Sequence, residues 1–233
     1  MWPLPRINDE LVAIVMSPSH LSLGVIKKTM SPIAPFELHA YRSIPIKDSM
    51  HKTMIYNTTF LEQQIGSFVA TYKLEDAFFA LCISGERVEE RLVKLKNSSP
   101  TTADFSHLAL HKLVWDYTYL YAHEQGEFVF AVSGVQRELL FQYQLLALSL
   151  GINLVTLTTP FNPLISLYRY VQGAAFRQAK LASDMQAHQH RLENYFTPTM
   201  YNRIVHAGQQ VESGTLLSMI GLYCMERGNN EKN

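Results

Sequence analysis

Seven consecutive apolar residues, Ala77 to Ile83 (AFFALCI), constrain this chain more than any other feature. A strand without polar alternation has to be covered on both faces, which requires a sheet lying between layers of helix. The upstream sequence supplies neighbours for it. Leu11 to Met16 is a short apolar run, and after Ser17-Pro18-Ser19 the segment His20 to Lys28 resumes with Leu21, Leu23 and Val25 alternating. The two runs read as a β-hairpin. Phe36 to Ile44 alternates again and stops at Pro45, giving a third strand. From Tyr56 to Lys73, Phe60, Leu61, Ile65, Phe68, Val69 and Tyr72 recur at helical spacing, with Thr58 and Thr59 as N-caps. The order β-β-β-α-β predicts an α/β fold with a mixed sheet flanked by helices.

The remainder alternates in the same way. Glu90 to Lys96 intersperses charge with Leu92, Val93 and Leu95, and a short helix is predicted around Ala103 to His111. Leu113 to Ala122 and Glu127 to Ser133 form a hairpin turning at Gln125-Gly126. Val135 to Leu150 reads as a helix closed by Gly151, followed by a strand at Ile152 to Leu157. Pro160 to Phe196 is expected to be mostly helical, with Gly173 a weak point and Thr197-Pro198 a break. Thr215 to Glu226 is an apolar closing helix whose Gly221 permits close packing, and Arg227 to Asn233 is expected to fray.

Composition removes several functions. With 20 basic and 20 acidic residues in 233, no net charge draws the chain to nucleic acid or to an anionic membrane. Cys82 and Cys224 lie in separate apolar segments and read as buried thiols, outside any disulfide framework or zinc site. Met1 to Glu10 lacks a basic region followed by an apolar core, so export is not expected. The stretch Leu139 to Leu157 is broken by Gln142, Gln144, Gly151 and Asn153, short of the roughly 20 apolar residues of a membrane span.

Chemistry-bearing motifs are sparse. Asp184 and His188 share a helix face at i, i+4, but His190 does not, so a solvated polar face is favoured over a metal site. Ser84-Gly85 and Ser133-Gly134 close apolar strands, the position where α/β proteins often place ligands. Neither lies in G-x-S-x-G, and ordinary strand-end turns are favoured. The sequence contains no P-loop and no G-x-G-x-x-G. No catalytic residue, metal or cofactor is expected.

The block WDYTYLYAHEQGEFVFAVSGVQRELLFQYQLLALSLGINLVTLTTPFNPLISLYRYV, from Trp115 to Val171, resembles the PilM family of actin-like cytosolic proteins of type IV pilus assembly. AFFALCISGERVEERLVKLK resembles the strand and turn that precede this block in the family, and LLSMIGLYCMERG its last helix. The resemblance implies an actin-like (ribonuclease H-like) first subdomain at 1–84, a small inserted β-α-β subdomain at 85–133, and a return to the first subdomain at 134–233. ATP-binding members carry an acidic residue and glycines in the first hairpin turn. Here that position reads Ser17, Pro18, Ser19, His20, with no carboxylate and with a proline in place of a donating amide. After Val171 about 60 residues stand where the family has a much larger second nucleotide-binding half. Nucleotide binding is therefore expected to be lost.

By the same resemblance the chain is a cytoplasmic, non-catalytic scaffold at the inner face of the inner membrane, serving a type IV pilus-like or type II secretion-like assembly. A groove between the first subdomain and its insertion would accept the cytosolic tail of an inner-membrane partner resembling PilN. Glu86 to Lys96 and Leu113 to Tyr121 would form its walls, with Val88, Leu92, Trp115, Tyr117 and Tyr119 as partner-binding candidates. The competing reading of the aromatic residues is that they simply pack the sheet. Two other readings stay open: a divergent actin-like or sugar-kinase-like ATP-binding protein, and an unrelated α/β protein with the same order of elements.

Overall fold

The computed structural model describes residues 10–30, 36–46, 48–108, 112–122, 125–172, 211 and 213–230. Strand β1 (Glu10–Met16) is the middle of a five-stranded sheet ordered β10-β6-β1-β2-β3. It pairs antiparallel with β2 (His20–Lys28), which pairs antiparallel with β3 (Phe36–Pro45). On its other side it pairs parallel with β6 (Phe78–Ile83), the predicted doubly buried strand, which pairs parallel with β10 (Asn153–Thr158).

Alternate residues of these strands feed two cores. Val12, Ile14 and Met16 of β1, with Phe79 and Leu81 of β6, face α1 (Thr58–Tyr72) and α2 (Arg137–Leu150) through Ile65, Phe68, Leu139 and Tyr143. Leu11 and Ala13, with Ala80 and Cys82, face α3 (Phe161–Gln172) and α4 (Ser213–Asn230) through Leu167, Leu216, Met219 and Ile220. The mixed sheet flanked by helices is thus the expected fold class. Among the described residues no helix is long and apolar enough to cross a membrane.

Between β6 and α2 the chain builds a second sheet, ordered β7-β9-β8 and wholly antiparallel, from β7 (Val88–Leu95), β8 (Leu113–Ala122) and β9 (Phe128–Gln136). The short helix predicted near Ala103 is a 3-10 segment, Thr102–Leu108, pinned by Phe105 at 1% exposure. Val135 and Gln136, assigned from sequence to the start of α2, continue β9, because Val135 pairs with Val88 and Gln136 with Leu113.

Other boundaries also move for local reasons. Asn57 caps α1 by accepting from Phe60 N at 3.0 Å, which puts Thr58 and Thr59 inside the first turn. Gly151 closes α2 at φ 64°, as expected. The closing helix α4 continues through Arg227 to Asn230, past the predicted stop at Glu226. The predicted helix from Pro160 to Phe196 is realised as α3 as far as Gln172. Its continuation lies outside the described residues, as do Gly173, Asp184, His188, His190 and Thr197-Pro198.

A two-stranded hairpin that the pattern did not reveal, β4 (Met50–His51) and β5 (Met54–Ile55), turns through Lys52 and Thr53 at φ 49° and 73°. A β-branched residue is unfavourable in that region. Two contacts from α2 hold the hairpin: Tyr143 donates its hydroxyl to Thr53 O at 3.1 Å, and Gln142 Oε1 accepts from Ile55 N at 3.1 Å. Burial raises the Tyr143 pKa, so its phenol keeps the proton it donates.

Gly221 sits where α4 crosses α3. A Cβ there would fall 2.6 Å from the carbonyl carbon of Pro163, a backbone atom that cannot swing aside. We expect Gly221→Ala to cost about 1–3 kcal/mol in urea unfolding, as overpacking does. Gly66→Ala in α1, where nothing lies within 4 Å of the added carbon, should stabilise by about 0.5–1 kcal/mol through helix propensity.

Candidate functional site

Two cavities open near the carboxyl ends of the parallel strands, the position at which α/β sheets commonly bind ligands. The first, of about 210 Å³, lies over the β1–β2 turn and is lined by the hydroxyls of Ser17, Ser19, Ser22, Ser84 and Ser218 together with His20. Among the described residues no Asp or Glu lines it. The turn is largely occupied with itself. Ser17 N donates to His20 O at 2.9 Å, His20 N donates to Ser17 Oγ at 3.1 Å, and Ser19 Oγ lies 3.0 Å from His20 Nδ1. Ser84 donates to Met16 O and Ser218 to Gly214 O, while Pro18 has no amide to offer. Pro18 also packs under Gly85, whose φ of 135° suits glycine, and a Cβ there would lie 2.8 Å from Pro18 Cγ. Cys82 lines this cavity from beneath, and burial, then the Glu90 carboxylate, raises its pKa, keeping it a protonated thiol.

The second cavity, of about 230 Å³, lies where the inserted sheet meets the ends of β6 and β10 and the start of α3. Its apolar wall includes Ile83, Val114, Leu140 and Leu157, and its polar groups come from Asp116, Ser133, Thr159 and Asn162. Ser133 is 6% exposed, and its hydroxyl has no hydrogen-bond partner. A buried hydroxyl left unpaired costs about 1–3 kcal/mol, and this one belongs to a residue of the cavity wall.

Glu90 stands beside this cavity, opposite Ser133 in the β7–β9 ladder. Its Oε1 accepts from Phe161 N at 2.6 Å, so a carboxylate of the inserted sheet caps the first turn of α3. Thr159 Oγ1 faces the same carboxylate without reaching full hydrogen-bond geometry. Burial pushes the Glu90 pKa up to about 7, while the Phe161 amide and Thr159 hydroxyl pull the other way. A second tie joins insertion and helix: Arg169 Nη2 donates to Tyr119 O at 3.1 Å.

The five partner-binding candidates fall on opposite faces of the inserted sheet. Trp115, Tyr117 and Tyr119 share the outer face. Trp115 and Tyr117 lie 5.3 and 5.0 Å from the Phe105 ring, and Tyr119 lies 5.7 Å from Phe130. Tyr117 also donates to Pro100 O at 3.0 Å. Val88 and Leu92 occupy the inner face and pack against the two cores of the main sheet. Of the inner-face residues here, Ser133 belongs to a strand-end pair that the sequence marks as a possible ligand position, whereas Glu90, Val114 and Asp116 lie within the expected groove walls without being named as candidates. The available signal was parity, since Glu90 stands between Val88 and Leu92 at the same two-residue step. Among the described residues no cluster of three or more His, Cys, Asp or Glu could hold a metal ion.

No protein-family model matches the sequence, and no curated protein matches it. Among solved structures the chain is similar to a chain of the PilM-PilN type IV pilus biogenesis complex, with TM-score 0.54 and 16% identity over 72% of this chain and 52% of that one. The cytoplasmic domain of EpsL, an inner membrane component of the type II secretion system of Vibrio cholerae, is similar at TM-score 0.41 and 12% identity, covering 66% and 57%. The RuvC structure of Thermus thermophilus is similar at TM-score 0.45 and 8% identity, covering 95% and 97%. The fold is α/β of the actin-like, ribonuclease H-like type. The chain spans about half the length of the pilus-complex chain it matches.

The raised pKa of Glu90 predicts a pH dependence. Its folded value of about 7 exceeds the ordinary 4.5, so between those values the folded state binds more protons than the unfolded one. Stability should therefore fall as pH rises from 4.5 through about 7, by up to about 3 kcal/mol. Glu90→Gln keeps the acceptor for Phe161 N without a charge. Urea titrations of this variant across that range should show the slope flattened, and above pH 7 it should be more stable than the parent chain.

Proposed function

We propose that the chain is a non-catalytic scaffold of a type IV pilus-like or type II secretion-like assembly, held at the inner face of the inner membrane by a partner whose short cytosolic tail enters the junction cavity. The observation that carries this reading is the cavity itself. It offers an apolar wall, an exposed Asp116 and the unpaired Ser133 hydroxyl at the seam where the insertion meets the main sheet. That is the mix a short peptide needs, with side-chain burial for affinity and a few fixed polar groups for orientation. The likeness to a chain of a PilM-PilN complex supports the choice of partner class, and the resemblance in sequence points to the same seam.

The absence of catalysis is part of the proposal. The strand-end cavity presents hydroxyls already hydrogen-bonded within the fold, a proline and, among the described residues, no carboxylate for a magnesium ion. The alternative, a divergent ATP-binding protein, draws on the same cavity, because it lies at strand ends and beside the first turn of α4.

The two readings separate in a thermal-shift titration. At about 5 mM Mg-ATP the scaffold should melt within about 1 °C of the unliganded chain, and a rise of several degrees would establish the ATP-binding alternative instead. For the tail, affinity capture from a membrane extract of the native cell should retrieve an inner-membrane protein with a short cytosolic segment. Val114→Arg and Asp116→Lys, both at exposed positions, should reduce that capture about tenfold or more without lowering the melting temperature. Undiminished capture by both variants would remove the junction cavity from the proposal.

A further inference from the structure

The inserted sheet carries a polar row across its inner face. Glu90 of β7 and Asp116 of β8 are both register partners of Ser133 on β9, so the three side chains stand side by side on one face. Glu90 reaches Phe161 N at the start of α3, which fixes that face as the one turned to the main body. Two carboxylates thus flank a hydroxyl whose residue is 6% exposed and which has no hydrogen-bond partner. A second such hydroxyl, Thr159 Oγ1, belongs to a residue 5% exposed just after β10, in the wall of the same cavity.

The balance of charge and of donors selects what this cavity can hold. Among the described residues no Lys, Arg or His lines it, and neither Glu90 nor Asp116 forms an ion pair. The nearby cations are engaged elsewhere: Arg87 donates to Gln136 at 3.0 Å, Arg91 to Glu89 at 2.8 Å and Arg169 to the Tyr119 carbonyl at 3.1 Å. A hydroxyl accepts as well as donates and an ionised carboxylate only accepts, so the polar end of the cavity is rich in acceptors. An anion would meet two like charges there. An apolar group would leave both hydroxyls unpaired, and a neutral amide would leave the carboxylate charge unanswered. The apolar wall of Ile83, Val114, Leu140 and Leu157 sets hydrocarbon beside those acceptors, and the volume of about 230 Å³ is on the scale of one long side chain. A hydrocarbon stem ending in a donor-only cation is the form of lysine and arginine. We propose that the cavity binds a Lys or Arg side chain of the partner's tail, its stem along the apolar wall and its cationic head among Asp116, Ser133 and Thr159. The inference rests on the junction reading above and adds the chemistry of the residue that enters.

Small probes isolate that chemistry. n-Butylguanidinium and n-butylammonium carry the head and stem of the two side chains, n-pentanol is neutral, and n-pentanoate is anionic. Each is titrated into the full chain at pH 8, above the Glu90 pKa of about 7, and followed by NMR through the amide resonances of Ser133, Thr159 and Asn162. The cations should bind with dissociation constants of the order of 1–10 mM. The alcohol should bind about fivefold and the carboxylate about tenfold more weakly. Asp116→Asn should abolish the preference for the cations over n-pentanol. Ser133→Ala, which removes a hydroxyl without a partner, should melt no lower than the parent and bind the cations about threefold more weakly. Tighter binding of the guanidinium supports arginine as the source of the head group, and the reverse supports lysine. n-Pentanol bound as tightly as the cations overturns the basic occupant and leaves the junction reading standing, whereas no binding by any of the four overturns both. Unchanged cation binding by either variant overturns the basic occupant as well. An Asp116→Asn chain that melts several degrees below the parent would show that a cation of this same chain fills the site, which also overturns it.

Discussion

The simultaneous pairing of β1 with β2 on one side and β6 on the other is the constraint from which the rest of this structure follows. An antiparallel neighbour needs only the short turn Ser17–Ser19, but a parallel neighbour requires the chain to cross the sheet, and that crossing is α1. A second parallel pairing, β6 with β10, requires a second crossing, which carries the inserted sheet and α2. With helices laid on both faces, the side chains from Leu11 to Met16 of β1 and along β6 must be apolar on both sides, and they are. The ends of the parallel strands are left as the places where the backbone is not sealed by helix, and both strand-end cavities lie there.

Elements whose environment is set by their own residues were legible in the sequence. AFFALCI has no polar face, so it could only be a covered strand. Gly221 inside an apolar helix announced the close approach of another backbone, which proved to be Pro163. Elements set by distant contacts were not legible. Lys52-Thr53 has none of the glycine or asparagine that marks a left-handed turn, and its conformation is held by Tyr143 and Gln142, some 90 positions away in the case of Tyr143. The limits of β9 and α2 depended on Val88 and Leu113 pairing past Ser133.

The candidate site shows the same division. The residue types of the inserted sheet suggested aromatic anchors, but which face each side chain occupies depends on register, and register is a property of three strands together. Trp115 and Tyr117 assemble a small core with Phe105, so their bulk is spent within the insertion. The inner face, with Leu92, Leu120, Val129 and Ala131, belongs to the core beneath α3 and α4. The insertion is therefore bonded to the main body through one face and self-sufficient on the other. Of the groups that border the seam, Glu90 carries no motif that would have drawn notice, and Ser133 stood out only as a strand-closing serine followed by glycine.

Glu90 gives that seam a chemical character beyond its shape. Its carboxylate is held against the first amide of α3 only while the inserted sheet stays docked. Any displacement that opens the joint returns the group to water, where its proton affinity drops toward the ordinary carboxylate value. Near neutral pH, opening is then accompanied by proton release and closing by proton uptake, so the posture of the insertion and the acidity of its surroundings are thermodynamically linked. A load applied to the insertion would be felt as a change in protonation at the start of α3, and a change in pH as a change in how firmly the insertion is held.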